Sequence, residues 1–99
     1  MIIYNETFVV EDDIHDEWLQ WIKANHIPAV LDTQNFESYQ MLKVLNSPNE
    51  GTTYCIQYFT DDFGKYEDFM LYHLNPLHIK HNEKFENKFV VFNTLMQEV

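Results

Sequence analysis

The segment at residues 46–51, NSPNEG, constrains the fold more than any other part of the chain. Asparagine, serine, proline and glycine supply side-chain turns, a preset φ and a free left-handed position. The segment separates two runs of strand character, FESYQMLKVL at 36–45 and TTYCIQYF at 52–59, which are therefore expected to pair as an antiparallel hairpin. On either side of that hairpin lies a helical pattern, and beyond each helical pattern another strand-like run. Upstream, IIYNETFVV at 2–10 alternates and is rich in β-branched and aromatic residues. The acidic EDD that follows suits a helix start, because carboxylates accept free backbone N–H groups and complement the helix dipole. Ile14, Trp18, Trp21 and Ile22 then recur at helical spacing. Pro28 has no N–H and disfavours the helical region for Ile27, so the helix is expected to end or kink near Asn25 and His26, with a short turn through Ala29, Val30 and Leu31 after it. Downstream, residues 60–85 carry Phe63, Tyr66, Met70, Leu74 and Leu77 at helical spacing, with Pro76 marking a second kink. NKFVVFNTLMQEV at 87–99 closes as a fourth strand.

The order βαββαβ predicts a single α+β domain over residues 1–99 with the ferredoxin-like arrangement, two helical regions covering one face of a four-stranded antiparallel sheet. The strands carry apolar groups on both alternate sets. In the second, Tyr39, Met41 and Leu45 oppose Phe36, Leu42 and Val44, so neither face looks made for water. A twofold homodimer that buries sheet against sheet would cover the outer face with one self-complementary patch.

Charge restricts the partners. Sixteen acidic side chains against six basic ones leave a net charge of -10, which repels nucleic acid and an anionic membrane surface. The opening MIIYNETFVVEDD has no basic stretch ahead of an apolar core and no small-residue cleavage site, so no export signal is expected. A single cysteine, Cys55, excludes an intrachain disulfide, and its apolar surroundings in sequence suggest a buried, unreactive thiol. These features fit a cytoplasmic protein.

The spacing Trp18-x-x-Trp21-x-x-x-x-His26-Ile27-Pro28, together with Gly51-Thr52-Thr53-Tyr54 and the stretch from Lys88 to Leu95, resembles a bacterial family, domain of unknown function 4286, over essentially the whole chain. That family is similar in turn to the dimeric α/β-barrel group, which includes antibiotic-biosynthesis monooxygenases, muconolactone-isomerase-like proteins and haem-degrading monooxygenases. The resemblance implies a fold and a dimer; one such scaffold hosts unrelated chemistries. The haem-degrading members imply an asparagine on the first strand, a tryptophan on the second helix and a histidine further along it. Asn5 meets the first condition, but Phe69 stands near the place of the tryptophan, and neither His78 nor His81 repairs that departure. No cofactor is expected.

Several side chains are candidates for a site. Trp18 and Trp21 are neighbours on a helix face and either pack that helix on the sheet or wall a ligand pocket. His26, at the expected helix break, is a candidate acid or base near neutral pH, or else a helix-end histidine that meets free carbonyls. Tyr39 and Tyr58, with Tyr4 and Tyr54, are either ordinary sheet aromatics or phenols that orient a ligand, and His73 is a further candidate ligand contact. His78 and His81 have the spacing to share a metal on an intact helix, but two ligands do not make a site and His73 lies too far along the helix to complete one. No metal is expected, and only Gly51 and Gly64 are present, too few for a phosphate cradle. The functions these residues suggest are binding of a small apolar or aromatic metabolite between helix and sheet, cofactor-free monooxygenase or isomerase chemistry with His26 handling the proton, and a homodimeric module without catalysis.

Overall fold

The computed structural model describes residues 1–99. Four strands, β1 (Ile2–Val10), β2 (Ser38–Lys43), β3 (Thr52–Thr60) and β4 (Phe89–Gln97), form one sheet in the order β2-β3-β1-β4, with every neighbouring pair antiparallel. Two helical regions fill the β1–β2 and β3–β4 connections, giving the ferredoxin-like βαββαβ fold. The central strands pair in full register from Ile2 opposite Thr60 to Val10 opposite Thr52. Their helix-facing set comprises Tyr4, Glu6, Phe8 and Val10 on β1 and Tyr54, Ile56 and Tyr58 on β3, and every one of these is buried. Gly51 closes the β2–β3 connection at φ +84, with its α-carbon against the Val10 carbonyl oxygen, where any Cβ would collide.

The first helical region is longer and more continuous than expected. A 3₁₀ turn at Asp12–Ile14 leads into α1 (His15–Trp21), a π-helical turn at Ile22–His26, and then α2 (Ile27–Asp32). Pro28 does not end the helix. The Ile27 N–H reaches back to the Ile22 carbonyl, a bond five residues long, and Pro28 falls in the first turn of α2, where proline is tolerated. Ile27 accordingly stays helical, at φ -59 and ψ -49, against the usual bias of a residue before proline. The acids ahead of α1 make no side-chain cap; Asp13 instead holds the Lys88 ammonium at 2.8 Å, tying this corner to the start of β4.

The second helical region divides into α3 (Phe63–Tyr72) and α4 (Leu74–Phe85), with Asp62 capping the Gly64 N–H at 2.8 Å. Its break lies at His73, φ -118, and not at Pro76. Pro76 is the third residue of α4, again a position whose N–H has no helical acceptor. Asn87 turns the chain out of α4 at φ 63, a conformation asparagine tolerates, so β4 begins only at Phe89.

β2 is shorter than the 36–45 run suggested. Phe36 lies ahead of it in the core, stacked near Tyr4 and Tyr58, while Leu45 is almost fully exposed beyond it. The outer sheet face carries Leu42, Val90 and Phe92 with 43–58% of their surface exposed. Cys55 also belongs to this outer set and is half-buried beside the Thr7 hydroxyl, at 3.5 Å, so the expectation of a thiol inside the core is corrected by strand register. No helix is long and apolar enough to cross a membrane.

Candidate functional site

The core-facing set of β1 reads Ile2, Tyr4, Glu6, Phe8, Val10, and the one ionisable carboxyl in that run has no exposed surface. Register places Glu6 opposite Ile56, between two aromatic layers, where an unpaired carboxylate would carry a desolvation cost of several kcal/mol. Two partners offset it. The Tyr4 hydroxyl donates to Oε2 at 3.2 Å, and His26 Nε2 lies 3.0 Å from Oε1. Burial, and then the Glu6 carboxyl beside them, push the phenols of Tyr4 and Tyr58 far above their ordinary range, so both remain neutral O–H groups.

His26 reaches Glu6 because of the π-helical turn. The wider turn ends on His26 and carries both Ile22 and His26 inward, whereas their neighbours Lys23, Ala24 and Asn25 are exposed. Such turns recur at functional sites because they re-aim a side chain that a regular helix would place elsewhere. A carboxylate only accepts, so with Glu6 ionised the shared hydrogen sits on Nε2, and His26 Nδ1 is left buried with no partner in the protein. A histidine held by a carboxylate through one nitrogen, with the other nitrogen unspent, has the geometry of an oriented acid or base.

A second polar contact flanks the first. Trp18 Nε1 donates to His81 Nε2 at 2.9 Å, and both residues are buried. Indole N–H can only donate, which fixes His81 Nε2 as an acceptor and the ring as neutral. Burial first, then the neighbouring rings of His26 and His78, push the His81 pKa down to about 3. His78 is also lowered by burial, in opposition to the pull of Glu6. No group of three or more His, Cys, Asp or Glu side chains is gathered in a way that could hold a metal ion.

Outside this cluster, between the π-helical turn with α2 and the face of α4, lies an open cleft of about 410 Å³, within the roughly 300–1,000 Å³ typical of small-molecule sites. Trp21, Ala29 and Leu77 supply its apolar surface, His26 part of its wall, and Asn25, Lys80, Glu83 and Lys84 its polar rim. The Trp21 ring is stacked at 28° on His26, with centroids 6.2 Å apart, and meets Phe85 edge-on.

Of the residues singled out from sequence, Trp21 and His26 share this cleft. Trp18 and Tyr58 lie in the packed core, Trp18 stacked on Tyr54 and Tyr58 beside Tyr4. Tyr39 stands on the edge strand with 45% of its surface exposed, and His73 occupies the α3–α4 break against Phe69. Those four residues are not brought to the cleft. Glu6 was missed by sequence reasoning, although its signal was present: a carboxylate at an inward position of an otherwise apolar alternating strand. Tyr54 bonds His15 Nε2 at 2.7 Å, a contact across 39 residues that no sequence spacing announces.

A four-stranded antiparallel sheet with two helical regions on one face defines the ferredoxin-like fold, the fold shared by dimeric α/β-barrel proteins. Solved structures of that kind are similar over nearly the whole chain. An EthD family protein from Bacillus halodurans aligns with a TM-score of 0.70 at 15% identity, covering 100% of both chains. SnoaB from Streptomyces nogalater, described as a cofactor-independent oxygenase, aligns at 0.65 and 11% identity, over 98% of this chain and 91% of its own. A dimeric ferredoxin-like protein from an uncultured marine organism aligns at 0.66 and 13% identity, over 99% and 96%. At such identities the likeness concerns the fold. The chain itself belongs to the family described as domain of unknown function DUF4286, whose model matches residues 1–99. No curated protein matches it.

Proposed function

We propose that this protein binds a small aromatic or apolar metabolite in the cleft beside His26. The observation that carries this reading is the placement of Trp21 and His26 on one cleft of small-molecule size, with the histidine fastened from behind by a buried carboxyl. A large indole that is only partly covered by its own chain offers a surface for a flat ring. A thermal-shift screen of small aromatic and apolar compounds tests it, since a ligand of the native state raises the apparent melting temperature. Ala29→Phe, which places a ring in the cleft without touching the core, abolishes the shift; shifts that survive this substitution refute the site.

The Glu6-held ring of His26 on the cleft wall favours a second reading, a cofactor-free monooxygenase or isomerase in which His26 handles the proton; its Nδ1 is unpartnered but covered, so this reading requires the cleft to open to that atom. The description of SnoaB as a cofactor-independent oxygenase shows that this fold accommodates such chemistry. His26→Ala that keeps ligand affinity but loses turnover supports catalysis, and retention of both sinks the proposed role.

Assembly belongs to the same proposal. The exposed Leu42, Val90 and Phe92 on the outer sheet face are the surface that a second copy would cover, as a sheet-to-sheet homodimer. Light scattering tests this directly: a monomer at micromolar concentration refutes it.

A further inference from the structure

We propose that the ligand class of this cleft is a small aromatic carboxylate, its ring against Trp21 and Leu77 and its charge at Lys80; the proposal rests on the small-molecule reading above. Charge around the cleft departs from the acidic balance of the molecule. The chain has sixteen acidic and only six basic residues, yet the cleft rim carries two lysines against one glutamate. Leu77, Lys80 and Lys84 follow one another at three- and four-residue steps on α4, so the apolar wall and both ammonium groups form one stripe of the helix.

One of the two ammonium groups on that stripe is unspent. Lys84 is held by Glu17 at 3.3 Å, but Lys80 has no carboxylate within ion-pair distance. The two tryptophans also differ. Trp18 gives its N–H to His81, whereas the Trp21 indole N–H is given to no group of the chain; the one side chain that hydrogen-bonds Trp21 is the Asn25 amide, which donates to its backbone carbonyl. A free indole N–H and a free ammonium beside an apolar wall call for a ligand with a flat apolar body and acceptor atoms bearing negative charge. A cationic aromatic would meet both lysines and is disfavoured. Glu83 on the rim and Glu17 behind Lys84 oppose an anion, so the charge that favours one is the unpaired Lys80.

The test uses three probes of one shape: 2-naphthoate, its neutral amide 2-naphthamide, and 2-naphthylmethylammonium, each titrated into the full chain by calorimetry and by quenching of tryptophan fluorescence. The expected order of affinity is naphthoate, then naphthamide, then the ammonium. Lys80→Gln brings naphthoate down to the level of the amide, a loss of about three- to fivefold from one solvent-screened charge. Glu17→Gln releases Lys84 from its partner and tightens naphthoate by a similar factor, with naphthamide unchanged. Both substitutions are of exposed side chains, so circular dichroism and melting temperature remain those of the parent. If naphthamide binds as tightly as naphthoate, and Lys80→Gln changes neither, the cleft stands as a small-molecule site but the carboxylate class is overturned. If no probe binds, or if Ala29→Phe leaves binding intact, both the class and the cleft reading fall.

Discussion

Lowering the pH from neutral should destabilise this protein through His81. The ring is 1% exposed and accepts the Trp18 N–H at Nε2, so a proton there would set two N–H groups against each other in a dry site. Folding holds the pKa at about 3, against 6.5 in the unfolded chain. The sign follows from proton binding: between these two values the unfolded chain holds the extra proton, so stability rises with pH across that window. The His81 contribution is intact above pH 6.5, is lost progressively as the pH falls, and levels off below about 3. At pH 5 the deficit is 1.5 units below the unfolded value, or roughly 2 kcal/mol at 1.36 kcal/mol per unit. His78, also lowered by burial, acts in the same direction. The assay separates them: urea unfolding followed by tryptophan fluorescence at pH 7.5 and pH 5, for the parent and for His81→Gln. Glutamine accepts the Trp18 N–H through its side-chain oxygen but does not titrate, while His78 and every carboxylate remain. The parent should lose about 2 kcal/mol more than His81→Gln between the two pH values. Equal losses would refute the claim that burial keeps His81 neutral.

Two further outcomes follow from buried geometry. Glu6→Ala leaves the His26 ring and the Tyr4 hydroxyl without their shared partner in a dry core, and should cost about 3 kcal/mol or more in urea unfolding; a loss below about 1 kcal/mol would mean the pair is not closed off from water. Gly51→Ala drives a methyl group into the Val10 carbonyl at a left-handed φ, and should lower stability by roughly 1–3 kcal/mol without altering ligand binding, so an unchanged melting temperature would contradict the turn geometry.

The two proline expectations were met only in part, for a common reason: the helices do change near Asn25 and His26 and ahead of Pro76, but neither proline ends its helical region. Pro28 and Pro76 were read as interruptions because a proline inside a helix strands a carbonyl and crowds the preceding residue. The chain accommodates the lost N–H by changing helix type or restarting a helix just ahead of each proline, while Ile27 and Asn75 stay helical. The Ile27 N–H is taken up five residues back, and α4 restarts at Leu74 after the bend at His73. Proline marks that a local adjustment is needed; where it occurs depends on which carbonyls the tertiary packing leaves free. Cys55 shows the same limit in a strand. Its apolar neighbours say nothing of which face it takes, because strand register assigns it to the outer set beside Thr7.

Local pattern alone determined the order of strands and helices, the hairpin at 46–51 and the hairpin partners, since alternation, helical spacing and turn chemistry are short-range properties of neighbouring residues. Trp18, Trp21 and His26 were also visible as one unit, because they lie within nine residues on a single helical run. The tertiary structure decided what each one does. The two tryptophans, three apart, are separated in role: Trp18 turns to His81, 63 positions away, and Trp21 turns to the cleft. His26 became an oriented group only when the π-helical turn carried it to Glu6 on β1, 20 positions earlier. Contacts across such distances depend on how the sheet and helices pack, and burial then sets the proton equilibria, so neither can be read from spacing along the chain.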